Sequence, residues 1–179
     1  GLAGVYFDRS ATTFIDGKEG VLEYRGYNIN ELAEHSTFEE TASLLIHGVL
    51  PTQAQLDDYD AELKGARELP EQIFDVIEIV KDAHPMDALR TAVSALSGFD
   101  PDRNDNSTEA TIRKGLRLTS QVPSIVMAHH NIRRGKDPIK PSTTLNHAGN
   151  FLYMMDGNEP SGQVMNLMDK DFVLHADHG

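Results

Sequence analysis

The 179-residue sequence contains no cysteine, which excludes a disulfide framework, a thiolate metal site and a cysteine nucleophile. That composition suits a reducing cytoplasm. No uninterrupted apolar run approaches the ~20 residues of a membrane-spanning helix. The opening Gly1-Leu2-Ala3-Gly4-Val5, with Asp8 close behind, lacks the charged-then-apolar order of a secretory signal. The expectation is a soluble, cytoplasmic protein. Positive charge is scarce: 16 Lys and Arg face 28 Asp and Glu, a formal net charge of −12. This argues against nucleic acid or an anionic membrane as partner. Glycine-rich phosphate loops and the Gly-x-Ser-x-Gly elbow are missing, as are fixed-period repeats, low-complexity tracts and sustained heptads. What is present, 39% hydrophobic and 25% charged residues, is the composition of a folded chain with one good core or two small ones.

Val5-Tyr6-Phe7 and Thr12-Thr13-Phe14-Ile15 are rich in β-branched and aromatic residues and read as extended. A turn at Asp16-Gly17 and a return strand at Val21-Leu22-Glu23-Tyr24 complete a small hairpin. The rest reads as helical. Ser36 with Glu39 forms a capping box before Phe38, Ala42, Leu45 and Ile46, and Gly48 stops that helix. Thr52 with Gln55 caps a polar helix running towards Arg67. Pro70 opens the next helix, striped by Ile73, Val76, Ile77 and Val80 and broken by Pro85. The small residues of Met86–Leu96 suit close packing against another helix. Residues 98–107 form a Gly/Pro/Asp/Asn loop. Further helices are expected over 108–119, 123–134, 143–155 and from Pro160-Ser161 onward.

Eight histidines invite a search for acid-base or metal chemistry. His35 and His47 fall near helix ends and read as C-terminal charge partners. His129 and His130 are about 100° apart on a helix, so one is packed and one polar. His84, before Pro85, is biased to extended backbone between two helices. Leu174-His175-Ala176-Asp177-His178-Gly179 is the densest polar feature, with two imidazoles at i and i+3. That pair is a candidate for an anion. As a metal site it lacks a third ligand and a supporting shell, and no metal is expected. Arg133-Arg134-Gly135-Lys136 reads as a helix C-terminus, and Met154, Met155, Met165 and Met168 as core filling.

The particular words of the sequence say more. Gly20-Val21-Leu22-Glu23-Tyr24-Arg25-Gly26-Tyr27, Phe38-Glu39-Glu40 with Leu44-Leu45-Ile46-His47-Gly48, and Leu50-Pro51-Thr52 closely resemble the N-terminal region of citrate synthases. His84-Pro85-Met86-Asp87 with Arg90–Leu96, then Asn150–Met155, then Leu174–Gly179, continue the resemblance in the same order. It implies a mainly α, multi-helical large domain, partial and with a small N-terminal β-hairpin. On this reading residues 1–179 are the N-terminal part only, without the rest of the large domain or the smaller domain. It also implies a homodimer, with the helices beginning near Met86 and Pro123 at its interface.

The implied activity is that of an acyltransferase condensing acetyl-CoA with oxaloacetate to citrate and CoA. The alternatives are a 2-methylcitrate synthase using propionyl-CoA, or a non-catalytic helical interaction fragment. By the resemblance His178 binds the carboxylate and carbonyl region of oxaloacetate, and His175 lies near that site. The family's proton-abstracting carboxylate, its enol-stabilising histidine, the main coenzyme A loop and several substrate arginines all follow the last block. No catalytic residue is therefore assigned, and these 179 residues alone are expected to be inactive. No permanently bound cofactor is implied; acetyl-CoA enters as co-substrate.

Overall fold

The computed structural model describes residues 10–177; the extended segment expected at Val5-Tyr6-Phe7 lies outside them. Three short strands, β1 (Thr13–Asp16), β2 (Val21–Tyr24) and β3 (Tyr27–Asn28), precede the helices. These are α1 (Ile29–His35), α2 (Phe38–His47), α3 (Gln53–Gly65), α4 (Glu71–Ile79), α5 (Pro85–Leu96), α6 (Thr108–Ile132), α7 (His147–Asp156) and α8 (Gly162–Leu174). The mainly α class with an N-terminal hairpin is the observed one. The chain divides into two compact units, one from the described parts of Gly1–Leu56 and Asp169–Gly179, the other from Asp57–Met168.

In the first unit the strands pair in the order β1-β2-β3, antiparallel throughout. Thr13 faces Tyr24 and Ile15 faces Leu22. The β1–β2 turn closes where expected, because the Asp16 carboxylate accepts from the backbone N–H groups of Lys18 and Glu19, at 2.9 and 3.2 Å. The third strand was not expected. It forms because Arg25 and Gly26 both sit in the left-handed region, φ 51° and 86°, the geometry of a tight two-residue hairpin turn. Arg25 accepts that conformation while its guanidinium donates to the Leu45 carbonyl, 3.1 Å from Nε and 2.6 Å from Nη2. Tyr24, Ile29, Leu32, Leu44 and Val173 form the core here.

The capping reading at α2 shifts by one residue. Thr37, not Ser36, is the N-cap, its hydroxyl accepting from Glu40 N–H. Thr37 with Glu40 has the same spacing as Ser36 with Glu39, and Ser36 instead donates to the Glu40 carboxylate at 2.6 Å. Gly48 ends the helix at φ 83°, as the sequence indicated. Thr52 and Gln55 cap α3 reciprocally, at 2.9 Å and 3.4 Å.

In the second unit Ile73 and Ile77 of α4, Ala92 and Leu96 of α5, and Ile125, Ala128 and Ile132 of α6 form one core. Ala88 and Ala92, one turn apart on α5, are both buried, which is the close approach that small residues permit. Two helices were expected around Pro123, and there is one: α6 runs for 25 residues with Pro123 inside it. Proline removes one ladder bond and costs about 3 kcal/mol in a helix interior. Here Ser120, Pro123, Ser124, Met127 and Ala128 are all buried, so tertiary packing outweighs the local preference. The expectation for the methionines holds for Met154, which is buried, whereas Met155 is exposed.

The 98–107 loop is pinned by ions. Arg117 donates to Asp100 at 3.1 and 2.8 Å and to Asp102 at 2.8 Å. Arg113 grips Asp102 at 3.1 and 2.7 Å. Their paired guanidinium groups hold the Asp102 carboxyl well below the usual carboxylate range.

Helix α7 starts at Asn146, whose side chain accepts from Gly149 N–H at 2.8 Å. A Cβ on Gly149 would lie 2.7 Å from Met165 Sδ, 2.8 Å from Asn146 Oδ1 and 3.4 Å from Leu145 Cβ. Gly149→Ala is therefore expected to destabilise the fold by about 1–3 kcal/mol, because the cap oxygen cannot retreat without losing its bond. A denaturant midpoint within error of the parent would refute that account of the glycine.

Candidate functional site

Of the two histidines singled out from the sequence, His175 is placed and His178 lies outside the described residues. The i, i+3 relation expected between them therefore reaches outside the described residues. α8 ends at Leu174, and His175 begins a turn. At this helix end the Leu174 carbonyl accepts from the Tyr24 hydroxyl at 3.0 Å.

His175 is exposed, with 60% of its side chain accessible. Its Nδ1 lies 2.9 Å from the Asp171 backbone carbonyl and 3.6 Å from the Asp171 carboxylate. A carbonyl only accepts, so Nδ1 carries the proton and Nε2 faces away as the second polar atom of the ring. The adjoining turn is tied to the hairpin. Asp177 N–H donates to the Tyr24 hydroxyl at 3.4 Å, and the Asp177 carboxylate accepts from Thr12 Oγ1 at 3.1 Å and from Thr13 Oγ1. These holding residues were not identified from the sequence, where Tyr24, Thr12 and Thr13 registered only as strand formers. The sole signal was that Tyr24 falls inside the Gly20–Tyr27 word.

A turn before this segment, Asp169 of α8 is buried and accepts from Phe38 N–H at 3.3 Å. It thereby caps the start of α2 from another element. Burial pushes its carboxyl up to about 6; the Phe38 bond opposes this and neighbouring Glu39 adds to it. A carboxyl raised above its unfolded value takes up protons on folding, so its share of stability is present below about pH 4 and is lost as pH rises towards about 6. Asp169→Asn keeps an acceptor for Phe38 N–H without the buried charge. It is expected to raise stability at pH 7 by about 1–2 kcal/mol, allowing for screening at the site. Thermal unfolding at pH 7 and pH 4 checks this, and equal gains at both would refute it.

The other histidines do structural work. His129 is buried with Nε2 3.1 Å from the Lys81 carbonyl, and His130 is half-buried beside Arg134, so the pair divides into packed and polar as expected. His84, in extended backbone, caps α5: its Nδ1 accepts from Met86 N–H at 3.2 Å. His35 pairs loosely with Glu31 on the surface of α1. His147 is buried at the start of α7 near Arg67. Among the described residues no cluster of three or more His, Cys, Asp or Glu could hold a metal ion. No helix among them is long and apolar enough to cross a membrane.

Fold and site thus define a multi-helical protein whose C-terminal histidine segment is strapped to an N-terminal hairpin. All of residues 1–179 match the sequence model described as "Citrate synthase, C-terminal domain". The chain is 46% identical over 180 residues to the citrate synthase of Deinococcus radiodurans, covering all of this chain and 48% of that protein. It is 42% identical over 184 residues to that of Haloferax volcanii, again covering 100% of this chain and 48% of the relative. The crystal structure of citrate synthase from Pyrobaculum aerophilum superposes with a TM-score of 0.95 at 38% identity, over 99% of this chain and 46% of that one. The chain belongs to the citrate synthase family.

One expectation is corrected by these matches. The sequence was assigned to the N-terminal portion of the family only, whereas the model that matches it end to end describes the C-terminal domain. The order of motifs within a chain identifies a family, but it carries no physical information about which named domain the chain occupies. The chain spans about half the length of the relatives it matches.

Proposed function

We propose that the protein to which these residues belong condenses acetyl-CoA with oxaloacetate, releasing citrate and CoA, and that His178 and His175 form part of the oxaloacetate site. The observation that carries this reading is 46% identity to a citrate synthase along the whole of the chain. The chemistry is compatible with it. A dicarboxylate needs directional donors, and an imidazolium whose Nδ1–H is given to a carbonyl offers its Nε2–H in a set direction. His175 meets that description through its Nδ1 bond to Asp171.

We assign no catalytic residue within the chain. The groups that remove the methyl proton and stabilise the enol are expected outside these 179 residues, within a large helical domain to which these residues contribute and a smaller domain. The cysteine-free sequence suits a cytoplasmic enzyme. A homodimer using α5 and α6 is consistent with the exposure of Met86 and Leu118 on those helices.

The test is thiol release by the full-length enzyme with oxaloacetate and either acetyl-CoA or propionyl-CoA. The expected result is turnover with acetyl-CoA at the higher kcat/KM, and none from the isolated 179 residues. His178→Ala is expected to raise the KM for oxaloacetate by about 10–100-fold, the loss of one charge-assisted hydrogen bond. A full-length enzyme that turns over propionyl-CoA better, or turns over neither, would overturn the proposal.

A further inference from the structure

We propose that Tyr24 is a positioning residue for the histidine-bearing segment after α8, acting through one phenol oxygen that bonds the backbone on both sides of His175. This inference rests on the reading of His175 and His178 as oxaloacetate-binding residues.

Tyr24 ends β2 with its side chain fully buried among Ile29, Leu32, Leu44 and Val173. Its hydroxyl donates to Leu174 C=O at 3.0 Å and accepts from Asp177 N–H at 3.4 Å. A phenol has one proton to give and lone pairs to receive, so a single oxygen can fill both roles. The two partners bracket His175 and Ala176, and both are main-chain groups at a helix C-terminus, where carbonyls and the following turn need outside partners.

A second hold comes from the same rung of the hairpin. Thr13 is the cross-strand partner of Tyr24, and side chains of paired residues leave the same face of a sheet. Thr13 and Thr12 hydroxyls both donate to the Asp177 carboxylate. One rung of β1–β2 thus fixes the segment at Leu174 and twice at Asp177, while the imidazole between remains 60% accessible. A ligand-binding side chain must be held within roughly 0.5 Å of its productive position. An exposed ring held only at Nδ1, by the Asp171 carbonyl, takes the rest of that precision from its backbone. The oxygen of Tyr24 is engaged by the Leu174 carbonyl and the Asp177 N–H, so its effect passes through the histidine segment.

The test is steady-state kinetics of the full-length enzyme. Tyr24→Phe keeps the ring in its apolar surroundings and removes both bonds. It is expected to raise the KM for oxaloacetate roughly tenfold, with kcat and the KM for acetyl-CoA within about twofold of the parent. In a His178→Ala background the same change is expected to add nothing, since the residue acts through that segment. The combined Thr12→Val, Thr13→Val variant should move the oxaloacetate KM in the same direction, and Thr13→Ser should restore it. This arm decides the matter should Tyr24→Phe fail to fold.

An unchanged oxaloacetate KM in the Tyr24 and threonine variants, with His178→Ala raising it, would overturn the inference and leave the proposed site standing. Equal losses for both substrates, additive with His178→Ala, would show a merely structural tyrosine and also overturn it. No effect of either His175→Ala or His178→Ala would remove the proposed site, and the inference with it.

Discussion

Arg67→Ala is expected to destabilise the chain by about 3–5 kcal/mol, the largest effect of any single substitution considered. Arg67 is 1% exposed and lies between α3 and α4. Its Nη1 donates to the carbonyls of Ser142 and Leu145 at 2.7 and 2.9 Å, and its own carbonyl accepts from Ser124 Oγ at 2.8 Å. Truncation would leave two part-buried carbonyls without that donor and open a cavity where the stem packs. Each unsatisfied group costs about 1–3 kcal/mol. The segment it holds leads directly into the Asn146 cap of α7, so loosening at 142–145 is expected to unfasten that helix start. Arg67→Lys retains charge and one donor direction, and should lose less. Urea denaturation of the three proteins checks the order. A loss below 1 kcal/mol for the alanine variant would show that the two carbonyls are satisfied without the guanidinium.

Acidification from pH 7 to about 4 is expected to remove about 3 kcal/mol of stability through His147 alone. This imidazole is buried, and desolvation holds its pKa down at about 4, with the Arg67 charge as the second cause. The folded value lies below the unfolded value near 6.5. The unfolded chain therefore binds the proton first on acidification, and stability is full above about 6.5 and lost as pH falls through that window. Asp169 works in the opposite sense between about pH 4 and 6 and with a smaller amplitude, so the net trend in the parent follows the histidine. His147→Gln should flatten the decline, leaving the reverse slope of Asp169. The measurement is the denaturant midpoint at half-unit pH steps. An equally steep loss in the glutamine variant would place the acid sensitivity elsewhere.

Much of this architecture was legible in the sequence because short-range chemistry decided it. The Asp16 turn, the Thr52/Gln55 box, the Gly48 stop and the Met86–Leu96 packing helix all form where local residue types put them. The failures share another cause. Pro123 should have divided a helix, and burial of its flanking serines and alanines kept α6 whole. Ser36 and Thr37 each have a glutamate three residues on, so local spacing does not separate them; Thr37 is the cap, and the next N–H, that of Phe38, is taken by Asp169 from another helix. The Arg25-Gly26 turn carries no asparagine or aspartate to announce it.

The site shows the same divide. A histidine pair stood out by residue type, but the hold on its segment did not, because it comes from Tyr24, 150 residues away and donating to the Leu174 carbonyl. Buried partners such as Arg67 and His147 were invisible, since their significance lies in enclosure rather than in neighbours along the chain. The family was readable from six ordered words; the chain's place within it was not, and the match to the C-terminal domain corrected it.

The most direct test of the central claim is citrate formation by the full-length enzyme, followed as thiol release and confirmed by product mass, for the parent and His178→Ala. The account predicts citrate from oxaloacetate and acetyl-CoA, with the variant demanding about 10–100-fold more oxaloacetate for half-maximal rate. Absence of citrate from the parent, or identical oxaloacetate dependence in parent and variant, would contradict it.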